Sequence, residues 1–139
     1  MTRVDFYVLP TDQAEARLLT ACRLAAKAWQ HNLRVLIHCA DQNQCQTLDE
    51  LLWGYRPERF IPHGLYSDWP NSPVVLAVAD TADTPAQLLI NLALRLPAHP
   101  QHFKRVIEII DQHPQRLAIG RENFRQYRRN GYDPQRVEL

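Results

Sequence analysis

Hydrophobic and polar positions change their spacing several times along the first 40 residues. The apolar and aromatic segment 4–9 is typical of a strand, and the nearly unbroken apolar run 34–38 is typical of a strand buried on both faces. The segment between them has helical periodicity, with one apolar face formed by Leu18, Cys22, Ala25 and Trp29. We expect this helix to begin with Thr11 or Asp12 as its cap and to continue to about His31.

A second helix is predicted directly after the strand at 34–38. Asp41 is a favourable cap for a helix that continues to about Trp53. The inner stripe of this helix consists of Cys45, Leu48 and Leu52. A chain that starts in the order strand, helix, strand, helix is typical of a parallel sheet with right-handed crossovers. We therefore predict a single α/β domain over residues 1–139, with a mostly parallel sheet flanked by helices.

The middle of the chain is less regular. Residues 54–73 contain four prolines, two glycines and several aromatic side chains, which predicts a long ordered loop. Segments 73–78 and 104–110 are apolar enough to be strands. Segment 88–92 fits either a strand or a helix, and we favour the strand.

Composition excludes several classes of function. The four glycines are far apart, so the chain contains neither a G-x-G-x-x-G motif nor a Walker-type phosphate loop, and we expect no cofactor. The two serines lie in the loop and not on a nucleophile elbow. No apolar run approaches the ~18 residues of a membrane span, and the first residues lack the pattern of a signal peptide. Three unevenly spaced cysteines favour reduced thiols in the cytoplasm.

Metal and catalytic sites find little support in the sequence. The pair His99-x-x-His102 has a spacing that suits two ligands on a helix, but no third ligand accompanies it in a recognised zinc pattern. An enzyme that acts on a phosphorylated or acidic small substrate remains the alternative function, because fold alone does not decide function. Its candidate residues are His38, His63 and the pair Asp80 and Asp83.

Positive charge is concentrated at the C-terminal end. From Pro114 onward six arginines accompany three acidic residues, a local charge of +3, whereas the preceding 113 residues carry −2. We predict a final helix from about Pro114 to Asn130, stopped by Gly131 in the usual left-handed position. One stripe of this helix contains Leu117, Arg121, Phe124 and Arg128, with Arg125 at its edge.

This mixed stripe allows three interpretations. The arginines can be the solvated rim of an ordinary core-facing surface. They can instead frame a small apolar pocket for a ligand that has a hydrophobic end and a carboxylate, because guanidinium groups bind carboxylates bidentately. Direct binding of single-stranded nucleic acid is the third interpretation, although a net charge of +1 is small for that role. Trp53 follows Leu52 on its helix and is expected to be partly exposed, as interface anchors are.

Several segments in order along the chain carry a resemblance to a known family. They are Phe6-Tyr-Val-Leu9, Asp49-Glu-Leu-Leu-Trp53, Phe60-Ile-Pro-His63, and Arg121-Glu-Asn-Phe-Arg-Gln-Tyr-Arg128 with Gly131-Tyr132. With these motifs the chain resembles the chi subunit of bacterial DNA polymerase III over nearly its whole length. The resemblance implies a nucleotide-binding-like topology that binds no nucleotide, and a non-catalytic accessory role in the clamp-loader assembly during DNA replication.

The same resemblance implies two protein partners. One is the psi subunit, as a heterodimer, and the other is the acidic, Phe-terminated tail of single-stranded DNA-binding protein, so that contact with DNA is mainly indirect. The family's tail-binding motif falls on Trp53, Phe60, Arg121, Phe124, Arg125 and Arg128. Phe124 stands where the family often has tyrosine, and Leu117 stands where it often has lysine. The sequence does not locate the surface for psi, which we expect to be an apolar patch away from the final helix.

Overall fold

A parallel β-sheet with helices on both faces forms the described part of the chain, residues 2–55, 61–78 and 85–139 of a computed structural model. Its elements are β1 (Arg3–Val8), α1 (Ala14–Gln30), β2 (Val35–His38), α2 (Gln42–Gly54), β3 (His63–Leu65), β4 (Val74–Ala77), β5 (Leu88–Asn91), a 3-10 turn (Pro100–His102), β6 (Arg105–Ile110), α3 (Pro114–Arg129) and β7 (Gln135–Glu138). The seven strands of these ranges lie in the order β3-β4-β2-β5-β6-β1-β7. Every pairing in the sheet is parallel.

The α/β class and most of the predicted elements are confirmed. Strand β2 lies between β4 and β5 and is buried along its whole length, as its unbroken apolar run predicts. The Asp41 carboxylate accepts a hydrogen bond from the Gln44 amide at 2.8 Å, which confirms it as the cap of α2. Residues 88–91 form a strand, and Gly131 has a φ of 92°, so the favoured strand and the left-handed stop are also confirmed.

The predicted cap of α1 is wrong. The helix begins at Ala14 after Gln13, whose side chain makes no capping hydrogen bond. The residues before it are held elsewhere, because the Thr11 carbonyl accepts from the Gln112 amide at 2.9 Å and the Asp12 carbonyl accepts from Arg116 at 3.3 Å. These contacts keep residues 11 and 12 in an extended link beside α3, so the helix starts one or two residues later than the capping pattern indicates.

Two strands were not predicted, one at each edge of the sheet. Strand β3 has three residues and lies inside the segment expected to be a loop. Its Gly64 leaves room for the side chain of Trp69, since a Cβ there would lie 2.6 Å from the Trp69 Cβ. Strand β7 has the sequence Gln-Arg-Val-Glu and is mostly exposed, so it lacks the apolar alternation by which strands are recognised. Short, charged strands are common at sheet edges.

The sheet separates two hydrophobic cores. Helices α1 and α2 cover one face, where Val35 and Ile37 of β2 point, while Leu36 of the same strand points into the core beneath α3. Helix α3 packs mainly over β6. Helices α2 and α3 therefore lie on opposite faces. Among the helices in the described ranges, none combines the length and the apolar character needed to cross a membrane.

A buried polar network attaches α3 to the sheet. Glu108 of β6 is fully buried, and its carboxylate accepts hydrogen bonds from Asn91 of β5 at 2.9 and 3.1 Å. The Tyr127 hydroxyl of α3 donates to the same carboxylate at 2.8 Å. Burial raises the pKa of Glu108 to about 7, against the opposing effect of these two donors. The network fixes the C-terminal half of α3 over β6.

Gly120 sets the distance between α3 and the sheet. It is buried, and a Cβ added to it would lie 2.8 Å from Cδ1 and 2.9 Å from Cγ1 of Ile110 on β6. Real side chains do not approach this closely. The helix therefore rests on Ile110 with glycine as the residue that permits the contact.

The Glu108 network predicts a specific pH dependence of stability. Between the unfolded pKa near 4.5 and the folded value near 7, the folded state holds a proton that the unfolded state has lost. The contribution of Glu108 to the free energy of unfolding therefore falls as pH rises through this window, by on the order of 3 kcal/mol, and is constant above it. Glu108→Gln cannot titrate and should flatten this fall, measured by urea unfolding from pH 4.5 to 8. Glu122→Gln, at an exposed carboxylate, should keep the wild-type slope, and an unchanged slope in Glu108→Gln contradicts the account.

The close contact at Gly120 predicts that a single methyl group is harmful there. Gly120→Ala should lower the free energy of unfolding by about 1–3 kcal/mol, because the overpacking cost exceeds the gain in helix propensity. The matched control is Gly54→Ala at the end of α2, where an added Cβ meets nothing within 4 Å. Denaturant unfolding of the two variants measures the difference. Equal stability of both would refute the close contact between α3 and Ile110.

Candidate partner-binding groove

A groove lies between α3 and the strands at the β7 edge of the sheet. It has a volume of about 260 Å³. Its lining residues are Phe6, Val8, Ile110, Gln112, Leu117, Gly120, Arg121, Phe124, Arg125 and Arg136. The apolar members come from β1, β6 and the inner side of α3, while the arginines come from α3 and β7. The groove is thus an apolar hollow with guanidinium groups around it.

Aromatic contacts fix the floor of the groove. The rings of Phe6 and Phe124 lie 5.1 Å apart in an edge-to-face arrangement, and Phe6 meets Tyr127 in the same way at 5.8 Å. The Arg128 guanidinium carbon lies 4.8 Å from the centre of the Phe124 ring. Phe124 therefore contacts both Phe6 and Arg128, and Arg128 borders the groove through this ring.

The arginines on α3 differ in their partners. Glu122 accepts from Arg125 at 3.2 Å and from Arg129 at 3.3 Å, in exposed pairs that contribute little to stability. In the described ranges, no acidic side chain lies within ion-pair distance of Arg121, which is exposed at the rim of the groove. Its five donors are available to a carboxylate from outside. Both the rim and the pocket interpretations of the stripe thus describe one feature, a core-facing surface whose edge is basic.

The structure does not bring Trp53 to this groove. Trp53 is 60% exposed on α2, and its ring meets that of His63 on β3 edge to face at 5.0 Å. Helix α2 lies on the face opposite α3, and β3 is five strand positions from β1, about 24 Å at 4.8 Å per strand. Phe60, the other loop residue of the predicted site, lies outside the described residues. The predicted exposure of Trp53 is confirmed.

A second tryptophan marks the same edge of the sheet. Trp69 is 66% exposed, and its side chain covers Gly64 of β3. Successive strand residues point to opposite faces. Trp53, which contacts His63, therefore lies on one side of β3, and Trp69, which covers Gly64, lies on the other. The β3 edge therefore has a large apolar ring on each side.

The two histidines of the enzyme alternative do not share a cleft. His38 and His63 are both buried, and β4 separates their strands. His38 is in register with Ala77 and His63 with Val74, which places the two histidines about 14 Å apart by strand geometry. Asp80 and Asp83 lie outside the described residues.

Metal-ligating side chains are not clustered in the part of the chain that the structure describes. Within it, no group of three or more His, Cys, Asp or Glu residues is arranged to hold a metal ion. The rings of His99 and His102 stack on each other at 5.1 Å. The three cysteines are buried and free.

Sequence reasoning missed the part of the groove that α3 does not supply. The sequence predicts a strand for Phe6 and Val8 but no part in a site, and it places Arg136 in the basic C-terminal region without a structural position. Their joint position follows from the parallel pairing of β7 with β1, which puts Arg136 in register with Phe6. The sequence Gln135–Glu138 has no alternation of apolar and polar residues from which this pairing could be predicted.

Comparisons with known proteins bear directly on this fold and groove. The profile of the family described as DNA polymerase III chi subunit, HolC, matches residues 1–135. A DNA polymerase III subunit chi from Pseudomonas aeruginosa is 45% identical over 132 residues, which are 95% of this chain and 93% of that protein. The proteins of that name from Haemophilus influenzae and Escherichia coli are 29% and 28% identical and cover 93% and 96% of this chain, and 92% and 95% of their own lengths.

The family profile covers every described element from β1 through α3 and reaches the first residue of β7. It gives the protein a place in DNA replication as an accessory component of the polymerase III holoenzyme and not as its catalytic subunit. The chain belongs to the family of the DNA polymerase III chi subunit.

Proposed function

We propose that this protein links the clamp loader, through the psi subunit, to the acidic C-terminal tail of single-stranded DNA-binding protein in the cytoplasm. The observation that carries the proposal is the presence of two different surfaces at opposite edges of one sheet. One is the basic, aromatic groove beside α3, and the other is the tryptophan-bearing edge at β3. A linking subunit needs two surfaces that can be occupied at the same time.

The groove suits the free end of an acidic, Phe-terminated chain. Its volume of about 260 Å³ is below the ~300–1,000 Å³ of small-molecule pockets, so one apolar side chain is a fitting occupant. The terminal phenylalanine enters the hollow of Phe6, Ile110 and Phe124, where aromatic rings prefer edge contacts. Arg121 donates to the terminal carboxylate, and the positive charges of Arg125 and Arg128 on the helix side of the groove attract the acidic tail as a whole.

The tail site we propose therefore differs from the set expected from the resemblance. It retains Arg121, Phe124, Arg125 and Arg128, which the structure brings together on α3. Trp53 lies about 24 Å away by strand count, beyond the reach of the terminal residue that the groove holds. We assign Trp53 to the other surface instead.

The β3 edge suits a permanent partner such as psi. Exposed tryptophans are enriched among the residues that dominate binding energy, and Trp53 and Trp69 lie on the two sides of one edge strand. This edge carries two exposed apolar rings and lies far from the basic helix, as expected of a surface for psi. Binding there leaves the groove open for the tail.

Two single substitutions should separate these surfaces. Arg121→Ala should weaken binding of a synthetic acidic tail peptide by about tenfold or more, because charge-assisted hydrogen bonds contribute ~1.5–3 kcal/mol. It should leave psi binding unchanged. Trp53→Ala should weaken psi binding by about thirtyfold, as for an interface hot spot, and leave the peptide unaffected. Isothermal titration calorimetry with the peptide and with purified psi measures all four affinities.

Matched controls accompany this reciprocal test. Arg129→Ala removes an exposed arginine of α3 that does not line the groove, and Leu19→Ala removes an exposed apolar side chain of α1. Neither should change either affinity. Loss of peptide binding in Trp53→Ala, with Arg121→Ala unchanged, would reverse the assignment. A pull-down in which full-length and tail-truncated single-stranded DNA-binding protein bind equally would refute the tail as the ligand.

A further inference from the structure

We propose that Arg136 of β7 binds the acidic side chain that precedes the partner's terminal residue, and that Glu138 weakens this contact by competing for the guanidinium. The inference rests on the proposed function of the groove and assigns a role that the resemblance does not give. It names a specificity residue outside α3, together with a residue that limits its effect.

Strand pairing puts Arg136 on the groove side of the sheet. In the parallel ladder of β1 and β7, Arg136 is in register with Phe6 and Glu138 with Val8. Paired residues point to the same face, and Phe6 and Val8 line the groove. Arg136 therefore faces α3 across the hollow, opposite Arg121 and Arg125.

The shape of the groove determines which part of a peptide meets Arg136. Helix α3 closes one side and carries Arg121, which we assign to the terminal carboxylate. On the other side β7 is the last strand of the sheet in the described ranges. A peptide whose terminal ring occupies the hollow therefore leaves across β7. Its preceding side chains pass Arg136, so an acidic residue there finds a guanidinium.

Arg136 is the groove-lining cation that α3 does not supply. The charged residues in the lining are Arg121, Arg125 and Arg136. Leu117, which lies before Arg121 on α3, also lines the groove but is uncharged. An acidic chain that approaches the groove from the β7 side is therefore attracted first by the positive charge of Arg136. Charges at such a rim act mainly on the association rate and on selectivity.

Glu138 holds Arg136 before a partner arrives. The Arg136 Nη2 atom lies 2.6 Å from Glu138 Oε1, and the two side chains are 63% and 67% exposed. Exposed pairs of this kind are weak, so a carboxylate from the partner can replace Glu138. Removing the charge of Glu138 should therefore strengthen binding of an acidic peptide, although the substituted residue does not line the hollow.

The test uses two synthetic peptides that differ only in charge. Both end in phenylalanine with a free carboxylate, and one carries acidic residues before it where the other carries the corresponding amides. Arg136→Ala should weaken the acidic peptide about three- to fivefold and leave the amide peptide unchanged, as expected of an exposed ion pair. Glu138→Gln should tighten the acidic peptide about two- to threefold and leave the amide peptide unchanged. Fluorescence anisotropy at low salt measures the affinities.

Each arm has an outcome that decides it. Unchanged affinity for the amide peptide shows that Arg136→Ala keeps a folded groove. Arg23→Ala, at an exposed arginine of α1 on the other face, is the charge-matched control and should alter neither affinity. Equal effects of Arg136→Ala on both peptides, or no effect on either, would overturn the role of Arg136. No tightening in Glu138→Gln would overturn the role of Glu138. If the wild type binds neither peptide, the proposed function itself fails and the inference fails with it.

Discussion

The position of α3 on the sheet is the constraint on which the groove depends. Gly120 allows the helix to rest on Ile110 at a distance that no other residue permits, and the Tyr127 hydroxyl fixes the far half of the helix to buried Glu108. Both contacts hold α3 over β6, and the groove lies between the helix and the strands β1 and β7. The buried side chain of Phe6 and the half-buried ring of Phe124 form its floor. A helix placed further toward β7 would fill this space.

The width of the sheet separates the two candidate binding surfaces. Because α2 and α3 lie on opposite faces, the exposed Trp53 and the basic groove are separated by both the thickness and the breadth of the sheet. Under the proposed function, this separation gives psi and the tail two surfaces that differ in chemistry, one with exposed tryptophans and one basic.

Much of this architecture follows from local patterns in the sequence. Apolar runs identify the central strands, and the capping residue Asp41 predicts the start of α2. The mixed stripe of Leu117, Arg121 and Phe124 indicates a helix whose edge lines the candidate groove. Contacts between distant segments explain what was missed. Gln112 and Arg116 hold the residues before α1 in an extended link, and β7 becomes a strand only through its pairing with β1. The set implied by the resemblance combines Trp53 with the arginines of α3, whereas the fold places Trp53 on the opposite face of the sheet.

The separation of the two surfaces can be measured directly by NMR. In a titration of isotope-labelled protein with an acidic, Phe-terminated peptide, the backbone amides of Phe6, Leu117, Arg121 and Phe124 should shift along one saturation curve. The indole N–H of Trp53 should remain in place throughout, since it lies on the other face at the opposite edge. A Trp53 indole signal that moves on the same curve as Arg121 would contradict the account, because the tail would then occupy the surface assigned to psi.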